Sequence, residues 1–204
     1  MVAALRRHFE SKTHLRNLYY LYNGSEQECT RNGKKTPEIG TSREKDLIAS
    51  LASNDDLMVS YDIYNKEPYD VIVNNRYISL KHSSNVRATS AGIKIVWSAE
   101  KATQDKFEQN FSFKCDLLIV YVREFEIEII YITKEKLEEL RQNSSKILKR
   151  LNGNSRGIEF DPTFFKKIIK DADIHLSQKM THQYPKLDSI SKRLALIKLL
   201  PDEQ

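Results

Sequence analysis

The chain has 204 residues, of which 40% are hydrophobic and 30% are charged, a composition that favours a folded globular domain and excludes disorder. Its net charge of +5 favours a polyanionic partner, nucleic acid above all. No apolar run approaches the ~20 residues of a membrane span, and charges interrupt the N-terminus too early for a signal peptide. We therefore expect a cytoplasmic protein without membrane contact. Cys29 and Cys115 lie far apart and in no metal-ligand spacing, which predicts free thiols.

The N-terminal quarter of the chain predicts helices. Apolar and aromatic residues recur at near-helical spacing over residues 2–22, which predicts one amphipathic helix or a broken pair, ended by the Asn-Gly pair that follows. Residues 25–40 are polar and are predicted to form a loop. A further helix is predicted from a cap at Thr41 or Ser42 to about Ser53.

Glu44 lies in the first turn of that helix, on the same face as its apolar stripe of Leu47, Ile48 and Leu51. Two interpretations stay open. An acid in a first turn is favoured by the helix dipole and needs no other role. Alternatively, the carboxylate is directed at a functional site beside the sheet.

The stretch from Pro68 to Ser84 predicts a β-hairpin. Apolar residues alternate in two segments, Tyr69–Val73 and Arg76–His82, and the adjacent asparagines between them tolerate the left-handed dihedrals of a two-residue turn. In that register Asp70 lies opposite Ser79, and Lys81 lies one step along on the same face. The core-facing side chains are Val71, Val73, Ile78 and Leu80. The acid and the lysine form either a chemical site or a plain surface ion pair.

The remaining elements follow from apolar runs and capping residues. Four further strands are predicted: Leu57–Tyr64, Ile93–Trp97, Cys115–Val122 and Glu124–Ile132, the last near the sheet edge. Four further helices are predicted: one from Ser98 to about Asn110, Lys134–Gln142 capped by Thr133, one after Asp161-Pro162, and one over Leu187–Leu199. A turn is expected over 153–157, and the basic residues of 146–150, 156 and 166–170 are expected on solvated helix faces. The order predicts one domain over residues 1–204, of α/β or α+β class, with a mixed sheet flanked by helices.

The hairpin offers the groups that phosphodiester hydrolysis needs. That reaction requires a metal to neutralise the phosphate, an activated water, and a group that positions the water. Mg²⁺ prefers oxygen ligands, and a nearby lysine can orient the water and stabilise the charge that develops on the phosphate. Asp70, Glu44, the carbonyl of Leu80 and Lys81 would furnish that set.

Three segments carry a resemblance to a known family: TSREKDLIASL with Glu44, YDVIV with Asp70, and ISLKHSS with Lys81. The chain resembles the PD-(D/E)XK nucleases, and most closely the type II restriction endonucleases, over roughly residues 40–132. The resemblance implies a restriction-endonuclease-like core with helical N-terminal and C-terminal additions. It also implies an Mg²⁺-dependent enzyme that cuts a specific short sequence of double-stranded DNA. The resemblance further implies that Asp70 binds the metal, that Lys81 activates water and that Glu44 assists.

The chain departs from the family pattern at one position of the site. The second acid of the motif, two residues before the lysine, is Ser79 here, and Pro68 stands two residues before Asp70 instead of next to it. Three outcomes stay open. Glu44 replaces the missing metal ligand, or Asp62 replaces it from the preceding strand, or the site is inactive.

Other residues near the hairpin could contact DNA. The candidates for the phosphate backbone or the base edges are Ser83, Ser84, Asn85, Arg87 and Lys94. His82 is expected on the opposite face from Lys81, as a partly buried structural histidine.

Two strands of a duplex require two active sites, so a homodimer is expected, with apolar residues of the N-terminal region and of Leu187–Leu199 as its surface. The resemblance implies that the phosphate is left on the 5′ side of the cut. Two alternatives to restriction stay open: a Holliday junction resolvase or repair nicking nuclease of the same fold, and a non-catalytic DNA-binding module.

Overall fold

A computed structural model describes the protein over residues 1–33, 36–61, 67–83, 93–96, 100–123, 125–151 and 157–180, with the backbone alone at 36–38, 94 and 96. Several sequence predictions lie outside these ranges: Asp62, the loop residues Ser84, Asn85 and Arg87, the Ser98 cap, Trp97, Arg156 and the helix Leu187–Leu199. No helix in the described ranges is long and apolar enough to cross a membrane.

The described strands form two sheets. In chain order they are β1 (Val59–Ser60), β2 (Val71–Val73), β3 (Arg76–Ser83), β4 (Lys94–Val96), β5 (Asp116–Arg123), β6 (Glu126–Ile132), β7 (Leu148–Leu151), β8 (Gly157–Phe160) and β9 (Ile174–Lys179). The larger sheet has the order β1-β2-β3-β5-β6-β9, and the smaller one has the order β4-β8-β7. In the larger sheet β3 pairs with β5 in parallel and the other pairs are antiparallel. The predicted mixed sheet is therefore confirmed.

Helices cover both faces of the larger sheet. They are α1 (Val2–Glu10), α2 (Lys12–Arg31), α3 (Thr36–Ala52), α4 (Lys101–Gln109), α5 (Lys134–Gln142) and α6 (Pro162–Asp171). Successive side chains of β5 alternate between two cores because strand side chains point to opposite faces. Leu118 and Val120 join the core under α1, α2 and α3, whereas Leu117 and Ile119 join the core under α5 and α6. The predicted class, helices flanking a mixed sheet, is confirmed.

The N-terminal prediction is correct in one respect and wrong in two. A broken pair of helices is present, divided at Ser11, whose hydroxyl accepts a hydrogen bond from the His14 N–H at 3.3 Å. However, α2 does not end at the Asn-Gly pair but continues to Arg31, and within it the Asn23 side chain donates to the Tyr19 carbonyl at 2.8 Å. Residues 25–40 are accordingly helical over most of their length and not a loop. Packing of α2 against α3 overrides the local turn preference.

The start of α3 also differs from the prediction. The helix begins at Thr36, so Thr41 and Ser42 lie inside it and do not cap it. Ser42 instead lies 3.6 Å from the Cys29 thiol of α2. The predicted end near Ser53 is confirmed to within one residue.

β6 lies next to the edge of the sheet, near the predicted place, and β9, which the sequence analysis did not predict, forms the edge itself. Two predictions in the C-terminal half are wrong. The basic stretch around Arg150 is not a helix face but strand β7. Its Arg150 guanidinium binds Asp105 and Glu108 of α4. Thr133 precedes α5 as predicted, yet its hydroxyl donates to Asp173 at 3.0 Å instead of capping the helix.

The remaining elements follow the sequence more closely. β4, β5 and α5 lie at the predicted places, and α6 begins at Pro162 with the Asp161 carboxylate accepting from the Thr163 N–H at 2.9 Å. The strand predicted over Leu57–Tyr64 is described only as Val59–Ser60.

A buried carboxylate joins the starts of β3, β5 and α5. Asp116 is 1% exposed and accepts two hydrogen bonds from the Arg76 guanidinium, at 2.8 and 2.6 Å. It also accepts from the Tyr131 hydroxyl at 2.5 Å and from the Lys134 N–H at 2.8 Å. The hydrogen bonds that Arg76 donates to Asp116 and then to Glu135 raise the pKa of Arg76 above its usual value. Asp116 thus fixes the start of β3, directly after the hairpin turn.

We predict that Asp116→Ala lowers the free energy of unfolding by about 3–5 kcal/mol, because it leaves the Arg76 charge and two other donors without their acceptor. Glu135→Gln is the matched control, since that side chain is 66% exposed and its pair with Arg76 contributes at most about 1 kcal/mol. Urea unfolding of both variants measures the two effects. Equal losses would show that Asp116 is not the anchor.

Candidate active site

The hairpin turn at Asn74 and Asn75 fixes the register of the site. Both residues have positive φ, 46° and 64°, as a two-residue hairpin turn requires. The register pairs Val71 with Ile78, and the Asp70 N–H donates to the Ile78 carbonyl at 2.9 Å. Asp70 therefore lies against the stretch of β3 that follows Ile78, as the sequence predicts.

One oxygen of Asp70 collects three contacts from that stretch of β3. Its Oδ2 accepts from the Leu80 N–H at 2.6 Å and from the Ser79 hydroxyl at 3.1 Å, and it lies 3.7 Å from Lys81 Nζ. Within the described residues its Oδ1 has no hydrogen-bond partner. This carboxylate is therefore held rigidly through one oxygen while the other is available to a cation.

The carbonyl of Leu80 faces the same region. In a strand the N–H and the C=O of one residue point to the same neighbouring strand, which is why antiparallel residues exchange both hydrogen bonds in a pair. Since the Leu80 N–H points at Asp70, its carbonyl oxygen lies on the Asp70 side of β3 as well. The Asp70 carboxylate and the Leu80 carbonyl, two of the predicted metal ligands, therefore lie on the same side of β3.

Glu44, from helix α3, lies near the other two predicted residues. Burial raises the pKa of Glu44 above its usual value, and the negative charge of Asp70 raises it further. The positive charges of Lys81 and Lys45 oppose the rise. Two carboxylates that repel each other beside a lysine form a site that a divalent cation would stabilise.

Polar contacts between α2 and α3 hold the helix that carries Glu44. Arg43 is 5% exposed and binds Glu26 of α2 at 2.6 Å, and the Ser25 hydroxyl donates to Asp46. The Arg43 guanidinium also lies over the Tyr22 ring, 5.7 Å from its centroid. The middle turns of α3, which carry Glu44, are thereby fixed against α2.

His82 points away from the site, as expected from the alternation along β3. Its Nδ1 lies 3.4 Å from the Tyr22 hydroxyl. Burial lowers the pKa of His82 to about 3, with further contributions from the charges of Arg43 and Lys81. The imidazole is therefore neutral at physiological pH and structural in its contacts.

Cys115 is a neighbour of the site that sequence reasoning missed. Its thiol donates to the Pro68 carbonyl at 3.3 Å, two residues before Asp70. Burial and then the charge of Asp70 raise the pKa of this thiol to about 11, so it is protonated and a poor nucleophile. The only signal in the sequence is its place directly before the strand that pairs with β3. Both cysteines are free, as predicted.

The candidate DNA contacts are described only in part. Ser83 ends β3 and is buried. Lys94 starts β4, where its backbone pairs with Glu159 of β8. Their roles in binding DNA stay predictions.

The donor set fits a hard cation when the backbone is included. Within the described ranges, no three side chains of His, Cys, Asp or Glu come together to hold a metal. Asp70, Glu44 and the Leu80 carbonyl nonetheless supply three oxygens, the donor type that Mg²⁺ prefers.

A mixed sheet with an aspartate directly before β2, a lysine on the adjacent β3 and a helical glutamate beside them is the arrangement expected of the PD-(D/E)XK class of nucleases. The family model of restriction endonuclease ThaI matches residues 6–191. The chain therefore belongs to the ThaI restriction endonuclease family, and it is a type II restriction endonuclease, an enzyme that cuts DNA internally. Family membership favours restriction over a resolvase, a nicking enzyme or a non-catalytic module.

The fold agrees with a solved structure. A restriction endonuclease in complex with substrate DNA is similar to this chain, with a TM-score of 0.68 and 23% identity over 84% of this chain and 86% of that one. This likeness supports the fold. No curated protein matches the chain significantly.

We predict that Glu44→Gln stabilises the protein at pH 8 in the absence of divalent cations. Because the pKa of Glu44 is raised in the folded state, its charged form costs stability as pH rises through that pKa. Below about pH 3 the carboxyl is protonated in both folded and unfolded states, so the difference between variant and wild type vanishes there. Melting temperatures across pH measure this.

Addition of Mg²⁺ should reverse the order of the two melting temperatures, because ligand binding stabilises the wild type more than a variant that lacks one metal donor. The exposed acid Glu139 of α5 offers a control, Glu139→Gln, which makes the same charge change away from the site. A Glu44→Gln variant indistinguishable from wild type, together with an Asp62→Asn variant that has lost its metal response, would assign the second carboxylate to Asp62.

Proposed function

We propose that this enzyme hydrolyses phosphodiester bonds within a specific short sequence of double-stranded DNA, with Mg²⁺ as its cofactor. The metal ligands are Asp70, Glu44 and the carbonyl of Leu80, and the catalytic residues are Asp70, Glu44 and Lys81. The observation that carries the proposal is the approach of Lys81 Nζ to 3.7 Å from Asp70 Oδ2, next to a glutamate whose pKa responds to both.

Each residue has a distinct task. Bound Mg²⁺ would neutralise charge on the scissile phosphate and lower the pKa of a nearby water. Asp70, fixed through Oδ2, presents Oδ1 at a defined place. Lys81 orients the attacking water and stabilises the negative charge that develops on the phosphate oxygens. Glu44 brings a second negative charge from another element of the fold.

Ser79 explains why Glu44 is needed. Its hydroxyl donates to Asp70 Oδ2 at 3.1 Å and so supports the aspartate instead of adding a charge. The site consequently has one carboxylate from the hairpin, and the second comes from α3. Asp62 is the alternative donor that the Glu44→Gln experiment distinguishes.

We propose that residues 1–204 form one restriction-endonuclease-like domain that acts in the cytoplasm. Strand β9 pairs with β6 in the larger sheet, so the core extends beyond the range 40–132 expected from sequence. Ser83, Ser84, Asn85, Arg87 and Lys94 remain proposed DNA contacts, since they follow the catalytic strand.

We predict that Lys81→Ala reduces cleavage by at least about 100-fold while DNA binding changes little, because the lysine acts on the water more than on docking. Asp70→Asn is expected to abolish cleavage with Mg²⁺. Digestion of a long sequenced DNA and a binding titration in Ca²⁺ measure both effects. Lys170→Ala, a change at an exposed lysine of α6, is the control. Cutting by Lys81→Ala at about a tenth of the wild-type rate or faster would remove Lys81 from the mechanism.

We also propose a homodimer, because a double-strand break at a palindromic site needs two active sites related by a two-fold axis. The apolar residues of α1 and α2 do not form its surface as the sequence suggested, since Leu5, Phe9, Leu18 and Tyr19 are buried in the core of this chain. The 5′ phosphate is expected to stay on the cleaved end.

We predict that sedimentation with an uncleaved duplex in Ca²⁺ gives two chains per duplex, and that plasmid is linearised without accumulation of a nicked form. The two active sites of a dimer act on both strands during one encounter. One chain per duplex with persistent nicked plasmid would contradict the dimer.

A further inference from the structure

An open cavity of about 200 Å³ lies beside the hairpin, where β3 and β5 begin. Its lining includes Arg76 and Tyr77 of β3, Lys114 and Cys115 before β5, and Lys134 at the start of α5. None of these residues belongs to the proposed catalytic set. The cavity thus lies next to the proposed catalytic site, and its lining residues are distinct from the catalytic residues.

The cavity carries two lysines that form no salt bridge with any residue the structure describes. Arg76 is committed to Asp116 and Glu135, which line the cavity as well. One guanidinium and two carboxylates leave an excess of one negative charge, and the two lysines turn this into a net positive charge of the lining. Lys114 and Lys134 are exposed, and neither forms a salt bridge within the described ranges. The charge of Lys134 acts on the adjacent Glu135 carboxylate, but no direct contact joins their side chains in the described structure. Two ammonium groups on one concavity favour an anionic ligand.

Cys115 connects the cavity to the catalytic residues. It lines the cavity, its thiol contacts the Pro68 carbonyl, and the charges of Asp70 and Lys81 both act on it. The cavity therefore lies within electrostatic reach of the proposed catalytic aspartate and lysine.

Tyr77 shows that the cavity lies on the same face of β3 as the proposed catalytic lysine. Side chains two apart in a strand share a face, so Tyr77 points to the same side of β3 as Ser79 and Lys81. Its ring is 50% exposed and packs on the Tyr69 ring at 4.6 Å, next to Asp70. An exposed aromatic ring with a hydroxyl donor suits contact with a deoxyribose and its phosphate.

We propose that this cavity binds a backbone phosphate of the cleaved strand that flanks the scissile phosphate. Lys114 and Lys134 pair with the phosphate, and Tyr77 contacts the same nucleotide. A DNA strand carries one phosphate for about every 3.4 Å of helix axis, so a strand seated at Asp70 has further phosphates within reach of a neighbouring pocket. The inference rests on the proposed function, because it assumes that the scissile phosphate lies at Asp70 and Lys81.

The test uses the double variant Lys114→Ala/Lys134→Ala. With a duplex that contains a mapped cleavage site, in Ca²⁺, we expect affinity to fall about tenfold. The slope of log affinity against log salt should become shallower by about 0.9, the value for one phosphate contact. The loss should be equal on a duplex without the site, and KM should rise while kcat at saturating DNA is retained. Lys166→Ala/Lys170→Ala, with the same charge change on α6, should leave all three quantities unchanged.

Neutral methylphosphonates identify the phosphate. Placed singly on either side of the scissile bond, one should weaken wild-type binding and have no further effect on the double variant, since both changes remove the same interaction. Melting temperatures verify that the variant is folded.

The outcomes separate this inference from the proposed function. Additive effects at every flanking phosphate, a loss no larger than in the α6 control, or a fall in kcat with unchanged KM would overturn the phosphate site. Failure of wild-type protein to cut with Mg²⁺, or equal cutting by Asp70→Asn, would instead overturn the proposed catalytic site, whatever the double variant does.

Discussion

The left-handed conformation of Asn74 and Asn75 is the constraint on which the site depends. A two-residue turn fixes the pairing of β2 with β3, and a slip of one residue would send every side chain of one strand to the opposite face. In the observed register the core receives Val71 and Ile78. The same register brings Asp70 against the backbone N–H of Leu80. Burial of the apolar face and assembly of the polar face are consequences of one turn.

Two buried charged residues, Asp116 and Arg43, fix the start of β3 and the turn of α3 that carries Glu44. Asp116 binds Arg76 at the start of β3 together with groups from β6 and α5, so the catalytic strand is anchored at the end remote from Lys81. Arg43 binds Glu26 and anchors the turn of α3 that carries Glu44. In both cases a charge removed from water is paired at short distance, and breaking either pair would leave an uncompensated charge. The site residues therefore stand on elements that cannot shift independently.

The replacement of the second acid by Ser79 changes the electrostatics of the site. A carboxylate at this position would stand directly beside Asp70, and repulsion would need a metal to relieve it. The Ser79 hydroxyl instead donates to Asp70, so the repulsion comes from Glu44 on a different element. A cation bound here would join α3 to the hairpin, which couples metal binding to the packing of the N-terminal helices.

The sequence by itself determined the hairpin, its Asp70–Lys81 pair and the mixed α/β class, because period-two alternation and Asn-Asn turn chemistry act over a few residues. It also determined β5, α5 and α6, whose apolar runs and caps are local signals. Only the tertiary structure decided the continuity of α2, the early start of α3 and the edge strand β9. Helix packing overrode the local break signal at Asn23, and β9 shows its pairing only beside β6. Tertiary structure alone likewise brought Cys115 and Lys114 beside the site, since strand β5 reaches β3 from across more than thirty intervening positions.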